Sequence, residues 1–335
     1  MMNLSGSTGA SPMLSVVIPL YNEGSGVLRL LYDRLAAVLA RLPGPCEIIL
    51  VDDGSTDDTF QQLKQLHQQD PAVKVIRLSR NFGHQTAISA GLARAAGAHV
   101  AVMDGDLQDP PELLPALLAQ LEQGYDVAYG IRASRQEGWI KRGAYHLFYR
   151  LLHRLARIEI PLDAGDFCVM KRRVVVAINN LPERNRFLRG LRSWVGFRQV
   201  GVPYPRAERA EGIPKYTWGK LLRLSLDGFV SFSDTPLRMA SYLGFLVSLG
   251  SFIGIGAVLY FRLFTTLSIP GFASVAILIL FLGGIQLLAI GVVGEYLGRI
   301  FDEVKQRPLY LESERLGWAE DLVENAPMVP SAYDR

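Results

Sequence analysis

Apolar and polar positions follow one repeating order over the first 130 residues. A short β-branched run comes first, then a loop rich in acids, Gly and Asn, then a stretch with helical spacing. Leu14-Ser-Val-Val-Ile-Pro19 is the first such run and predicts a strand closed by Pro. An amphipathic helix is predicted from about Val27 to Leu42. Glu47–Val51, Val73–Leu78, residues 98–103 and Asp126–Gly130 predict four further strands, with an Ala-rich helix stopping near Gly97. Strands alternating with helices predict βαβ units, and hence an α/β fold on a mostly parallel sheet.

The pattern changes in the second half of the chain. From Trp218 to Phe232 apolar positions recur at helical spacing with Lys220 and Arg223 between them, which suits an interfacial helix or an ordinary core-facing one. Met239–Phe261 contains no charged residue, and neither does Leu263–Gly294. Each supplies the roughly 20 apolar residues that cross a bilayer, and Pro270-Gly271 marks a turn between two antiparallel spans. Arg238 precedes the first span, while Arg299, Lys305 and Arg307 follow the second, so the positive-inside bias puts both ends in the cytoplasm. The expected organisation is a flexible tail over 1–13, an α/β domain over 14–216 and a juxtamembrane helix over 217–237. Two transmembrane helices over 238–298 and a cytoplasmic tail over 299–335 complete a multi-pass inner-membrane protein. Gly244, Gly250, Gly254 and Gly256 would permit close helix packing, and with it a homo-oligomer.

Composition sharpens this picture in one respect. Between Arg132 and Arg238 there are 21 Lys/Arg against 9 Asp/Glu, a local balance of +12 in a chain whose net charge is +3. A basic middle beside membrane spans predicts anionic partners, namely phosphates and lipid headgroups, and no nucleic acid. Solvated helix faces account for a share of these charges. Cys46 and Cys168 form no metal or disulfide pattern, as suits a reducing compartment. The Ser/Gly/Thr-rich start lacks the apolar stretch of a signal peptide.

Candidate chemistry gathers where predicted strands end. Asp52-Asp53 closes the second strand, and Asp104-Gly-Asp106-Leu-Gln108-Asp109 closes the fourth. Open α/β sheets bind ligands at these carboxyl ends. Mg²⁺ and Mn²⁺ take oxygen ligands and are often shared between one or two carboxylates and substrate phosphates, so Asp104-x-Asp106 fits a metal–diphosphate clamp. Taken alone it better fits a turn in which Asp106 or Asp109 caps the helix opened by Pro110-Pro111-Glu112, and the rest of the chain reverses that judgement. Asp52 can accept hydrogen bonds from a base or ribose, or bond its own backbone. No Gly-x-Gly-x-x-Gly or Walker loop is present, which removes the main support for dinucleotide and P-loop readings.

In combination these stretches resemble a known family. Val16-Val-Ile-Pro-Leu-Tyr-Asn-Glu23, Val51-Asp-Asp-Gly-Ser-Thr-Asp57, Arg80-Asn-Phe-Gly83 and Met103-Asp-Gly-Asp-Leu-Gln-Asp-Pro-Pro111 resemble family-2 inverting glycosyltransferases of the GT-A fold. Gly165-Asp-Phe167, Arg189-Gly-Leu-Arg-Ser-Trp-Val-Gly-Phe197, Lys215-Tyr216 and Phe232-Ser-Asp-Thr-Pro-Leu-Arg238 narrow this to polyisoprenyl-phosphate glycosyltransferases. The resemblance implies that Pro19, Tyr21, Glu23 and Asp52 hold a nucleoside. It implies that Asp104, Asp106 and Gln108 hold Mg²⁺ or Mn²⁺ and the diphosphate, and that Arg132 and Lys215 meet phosphate oxygens. An Asp of the 163–166 turn, Asp166 or Asp163, would face the reacting centre. The implied partners are a nucleotide-sugar, polyprenyl phosphate and the bilayer. Two positions depart from the family pattern: Cys168 after Phe167, and Pro214 before Lys215. A processive polysaccharide synthase would share the catalytic domain but adds a Gln-x-x-Arg-Trp motif and further spans, whereas this chain has Arg192-Ser193-Trp194 and one hairpin. A non-catalytic nucleotide-binding membrane protein would not need intact Asp104, Asp106 and Asp166.

Overall fold

A computed structural model of the chain describes residues 11–24, 26–132, 164–205 and 271–318, with scattered helical positions between Leu237 and Phe264. The chain divides into two compact units, one built on a β-sheet and the other holding the apolar C-terminal helix.

In the sheet unit the order is β1 (Leu14–Leu20), α1 (Val27–Leu39), β2 (Cys46–Asp52), α2 (Thr59–Gln69), β3 (Val73–Leu78), α3 (His84–Arg94) and β4 (His99–Val102). A 3₁₀ turn (Pro111–Leu113) then runs into α4 (Leu114–Glu122) and β5 (Val127–Arg132). β6 (Ala164–Lys171), α5 (Arg172–Asn179), α6 (Leu188–Trp194) and β7 (Gln199–Tyr204) follow. After the C-terminal helix α7 (Phe272–Lys305), the strand β8 (Glu312–Leu316) returns to the same sheet. The strands lie in the order β7-β5-β6-β4-β1-β2-β3-β8.

The centre of this sheet, β3-β2-β1-β4, is parallel. β6 runs antiparallel to both β4 and β5, and β8 antiparallel to β3, while β7 runs parallel to β5; the sheet is thus mostly parallel, as expected, with β6 and β8 reversed. Periodicity identifies a strand but carries no information on its direction, which long-range pairing decides. Every residue of β1 is buried, as in a strand covered on both faces. β1 also continues through Pro19 to Leu20. Val17 O accepts the Met103 N–H on the β4 side and Leu20 O accepts Asp53 N–H on the β2 side. By alternation, the missing N–H of Pro19 falls on the β4 side, beyond the end of β4, where no bond is lost.

α1 buries Val27, Leu28, Leu31, Leu35, Val38 and Leu39, the three-and-four spacing of an amphipathic helix, and ends at Leu39 rather than Leu42. The Ala-rich α3 lies close on the sheet: a Cβ at Gly91 would come within 2.2 Å of Val17 Cγ1. β8 falls where a tail was expected. Its sequence, Glu-Ser-Glu-Arg-Leu, carries almost no apolar signal; backbone pairing holds it to β3, and charges tie it to α2 and α3. Arg94 Nε lies 3.1 Å from Glu312 and Lys64 Nζ 2.8 Å from Glu314.

The second unit contains α7, of 34 residues and roughly 50 Å at 1.5 Å per residue. Within it Phe281–Lys305 is long and apolar enough to cross a membrane, and none of its most apolar window is buried. The described positions between Leu237 and Phe264 are also helical, but among the described residues only α7 meets that requirement. The expected two-span hairpin is thus represented by one candidate span. The predicted juxtamembrane helix over 217–237 lies outside the described residues except for Leu237.

Candidate active site

The loops after β1, β2 and β4 meet at the carboxyl edge of the sheet. The first two are tied by a ladder of short bonds: Asn22 N–H to Ser55 Oγ (3.0 Å), Thr56 N–H to Asn22 Oδ1 (2.9 Å) and Glu23 N–H to Thr59 Oγ1 (2.9 Å). Asn22 adopts a left-handed φ of 53° to make them, a conformation Asn tolerates. Gly54, at φ 68°, has no such choice, since a Cβ there would lie 2.4 Å from the Arg80 backbone carbon. Asp53 is buried and accepts the N–H groups of Phe82 and Gly83 (2.8 and 2.9 Å), which joins the loop after β3 to the same edge.

Asp52, fully buried, divides its two oxygens. Oδ1 accepts the Ser55 N–H at 2.9 Å, the turn role weighed from sequence. Among the described residues Oδ2 has no hydrogen-bond partner, although Arg77 Nε stands 3.4 Å away. Tyr21 is exposed above this edge, and Pro19 lies one level below it inside β1.

The second cluster forms where β4 meets β6. Their antiparallel register pairs Val102 with Cys168 and, continued two residues, sets Asp104 across from Asp166. Gly165 and Asp166 are therefore part of a strand, not of the turn expected from sequence. Against β5 the β6 register slips between the Tyr129–Cys168 and Ile131–Ala164 pairs, an irregularity of the kind that re-aims side chains. His84 Nε2, in the first turn of α3, lies 3.4 Å from both Asp104 Oδ1 and Asp166 Oδ2. Gln85 Nε2 donates to Asp166 Oδ2 at 2.8 Å and its Oε1 accepts the Leu188 N–H at 2.7 Å. Arg189 Nε completes the set, 2.9 Å from Asp166 Oδ1.

These surroundings push two facing carboxyls in opposite directions. Burial would raise Asp166, but Arg189 and His84 outweigh it and hold this carboxyl well below the usual range. Burial pushes Asp104 up to about 6, opposed by His84 and reinforced by Asp109, Asp166 and Asp106. Against the cost of its own burial, Asp166 and Asp104 raise the His84 imidazole.

The rest of the acidic loop is held locally. Asp106 Oδ1 accepts the Gln108 N–H at 3.1 Å, and Leu107 between them sits at φ 60°, a strained value for a branched side chain. Asp109 accepts the Tyr204 hydroxyl proton at 2.5 Å. The N-cap position of the 3₁₀ turn is Pro110, whose side chain makes no capping bond. Arg132 is the last residue of β5. Asp163 and Lys215 lie outside the described residues.

Among the described residues no three His, Cys, Asp or Glu side chains close around a metal-sized site. The acidic loop nonetheless fits a divalent ion shared with substrate phosphates. Asp104 Oδ1 is buried without a hydrogen-bond partner among the described residues, and a cation would offset both the burial that raises Asp104 and the repulsion from its acidic neighbours. His84, Gln85 and Arg189 were missed as site residues in the sequence. The available signal was their position beside or inside quoted motifs: two directly follow Gly83, and one opens the Arg189–Phe197 stretch.

Residues 15–178 match the family model described as Glycosyl transferase family 2. The chain is 46% identical over 305 residues to the uncharacterized glycosyltransferase sll0501 of Synechocystis, covering 91% of this chain and 96% of that one. This chain belongs to glycosyl transferase family 2. It is 40% identical over 299 residues to the bactoprenol glucosyl transferase of Shigella phage SfII, covering 89% of this chain and 96% of that one. Among solved structures, glucosyl-3-phosphoglycerate synthase of Mycobacterium tuberculosis in complex with UDP aligns with 66% of this chain and 79% of its own, at 20% identity and a TM-score of 0.45. As a family-2 glycosyltransferase, the protein carries its acidic loops and the Asp104–His84–Asp166 cluster at the carboxyl edge of the sheet.

Proposed function

We propose that this glycosyltransferase transfers glucose from UDP-glucose to polyprenyl phosphate, with inversion, at the cytoplasmic face of the membrane. The observation that carries the reading is the Asp104–His84–Asp166 cluster, in which one carboxylate is fixed and ionised while its neighbour calls for a cation. Support for the acceptor comes from relatives named bactoprenol glucosyl transferase and from the apolar α7. The uncharged run Met239–Phe261 favours a second span, and with it a hairpin whose ends are both cytoplasmic.

In this reading Tyr21, Glu23 and Asp52 hold the nucleoside, with Pro19 setting the course of β1 beneath them. Asp104 and Asp106, with Gln108, hold Mg²⁺ or Mn²⁺, which would stabilise the charge that builds on the departing diphosphate. A phosphate oxygen of the acceptor bonds to the anomeric carbon as that carbon's bond to the UDP oxygen breaks. The acceptor is a phosphate monoester with a second pKa of about 6, largely dianionic at neutral pH, so it needs no base to become a nucleophile. Asp166 is then a placing group: it is already ionised and anchored by Arg189, Gln85 and His84. Asp163 is the alternative for this role. Arg132 and Lys215 offset repulsion between the two anionic substrates.

The test supplies radiolabelled UDP-glucose, undecaprenyl phosphate and Mg²⁺ or Mn²⁺ to the purified full-length protein. Metal-dependent formation of an alkali-stable, mild-acid-labile lipid product is expected. Formation of a polymer, or of no product across a panel of nucleotide-sugars, would overturn the reading.

A further inference from the structure

β8 follows the apolar helix in sequence and brings one acid to the donor end of β3. Arg77 of β3 and Glu314 of β8 are direct cross-strand partners. The Arg77 guanidinium stands between two carboxylates, its Nε 3.4 Å from Asp52 Oδ2 and its Nη1 3.7 Å from Glu314 Oε1. Its Nη2 donates to Ser55 O at 3.4 Å, and it lies over the Phe60 ring, 4.4 Å from the centroid. Glu314 is anchored from the other side by Lys64 Nζ at 2.8 Å.

A guanidinium free to choose binds a carboxylate through two parallel N–H bonds. Arg77 does not do so with Asp52: Oδ1 is taken by the Ser55 N–H, and the buried Oδ2 stands 3.4 Å from Arg77 Nε, without a hydrogen bond among the described residues. We propose that Glu314, and through it the C-terminal strand, shares Arg77 with Asp52 and keeps it from closing fully on Asp52 Oδ2, so that this oxygen can accept a hydrogen bond when the nucleoside binds. Glu314 is thus a positioning residue of the donor site. Without its charge, Arg77 closes the 3.4 Å gap to Asp52 Oδ2 and occupies the acceptor the nucleoside needs. The inference rests on the reading of Asp52 as a nucleoside-binding carboxylate.

The experiment measures UDP binding by calorimetry, and UDP-glucose kinetics, on the full-length protein. Glu314→Gln is expected to weaken UDP binding by about threefold to fivefold, the worth of a partly exposed ion pair. KM should rise by the same factor while kcat changes less. Glu314→Asp, which keeps the charge, should recover most of the loss. Lys64→Met, which loosens β8 but leaves the Arg77–Glu314 pair, should bind UDP like the wild type. In an Asp52→Asn background, Glu314→Gln should have no further effect. Unchanged UDP affinity in Asp52→Asn alone would remove the Asp52 assignment on which the inference stands. Weakened binding in Asp52→Asn with wild-type binding in Glu314→Gln would overturn the positioning role itself. Equal losses in Lys64→Met and Glu314→Gln, or a full Glu314→Gln effect persisting in Asp52→Asn, would overturn it too, by showing that only strand docking matters.

Discussion

Two carboxyls at one strand edge, both within 3.4 Å of the same imidazole, are given different work by their remaining neighbours. Arg189 and Gln85 satisfy Asp166, whereas burial, reinforced by other acids, pushes Asp104 up to about 6. A divalent cation would favour the ionised form of Asp104 and lower the pH at which it loses its proton. Asp104→Asn and Asp106→Asn should therefore each lower kcat by more than about a hundredfold with Mg²⁺ or Mn²⁺ supplied, while melting temperature and membrane association hold. Near-wild-type turnover in both would remove the clamp. The pH profile separates the two acids. Asp166 stays ionised across the working range, so Asp166→Asn should slow the reaction yet keep an acidic limb in kcat/KM near the acceptor's second pKa of about 6. Asp104 in the metal-free protein loses its proton in the same range, as pH rises through about 6. An inflection that moves down with added metal belongs to Asp104, and one that stays belongs to the acceptor. Loss of the limb in Asp166→Asn at saturating metal would instead identify Asp166 as a base.

At the level of elements, the site is a set of loops that bind each other before they bind anything else. Asn22, Ser55, Thr56 and Asp53 spend their hydrogen bonds on neighbouring loop backbone and side chains, and this fixes the edge on which Tyr21, Glu23 and Asp52 sit. Gly54 is the point where the β2 loop passes the Arg80 backbone too closely for a side chain. Gly54→Ala should cost about 1–3 kcal/mol in urea unfolding, the usual price of forced left-handed backbone, and should weaken UDP binding with it. Wild-type values for both would show that the loop does not set the donor site. β8 makes a related point at the opposite end of the chain. It pairs with β3 and becomes the edge strand itself, a short one whose charged side chains protect the open ladder without any apolar signature.

For the whole molecule, the decisive question is whether α7 crosses a bilayer, and in which direction. α7 is exposed and apolar along the stretch that could span, and β8, which follows it after a short connection, belongs to the sheet unit. Ser313 on β8 bonds the backbone of Arg77 and Leu78, so its location reports that of the catalytic sheet. In a Cys46→Ser background, with Cys168 buried, a cysteine placed at Ser268 should react with an impermeant thiol reagent added outside intact cells. One placed at Ser313 should react only after permeabilisation. Labelling of the Ser313 position alone from outside would reverse the orientation.

What the sequence determined is local. Alternation and apolar runs located β1 to β5 to within a few residues, since a strand buried on both faces needs an unbroken β-branched stretch. They marked the acidic loops as strand ends, and a long uncharged run as a membrane helix candidate, because both signals depend only on neighbours in the chain. The tertiary structure alone decided the direction of β6, and with it that Asp166 faces Asp104. It also placed His84 between the two acids, gave Arg189 to Asp166, and returned Glu312–Leu316 to the sheet beside Arg77. Those relations join residues far apart in the chain through register and charge. Residue spacing encodes neither, because a polar group's partner is whichever opposite charge the folded sheet brings within reach.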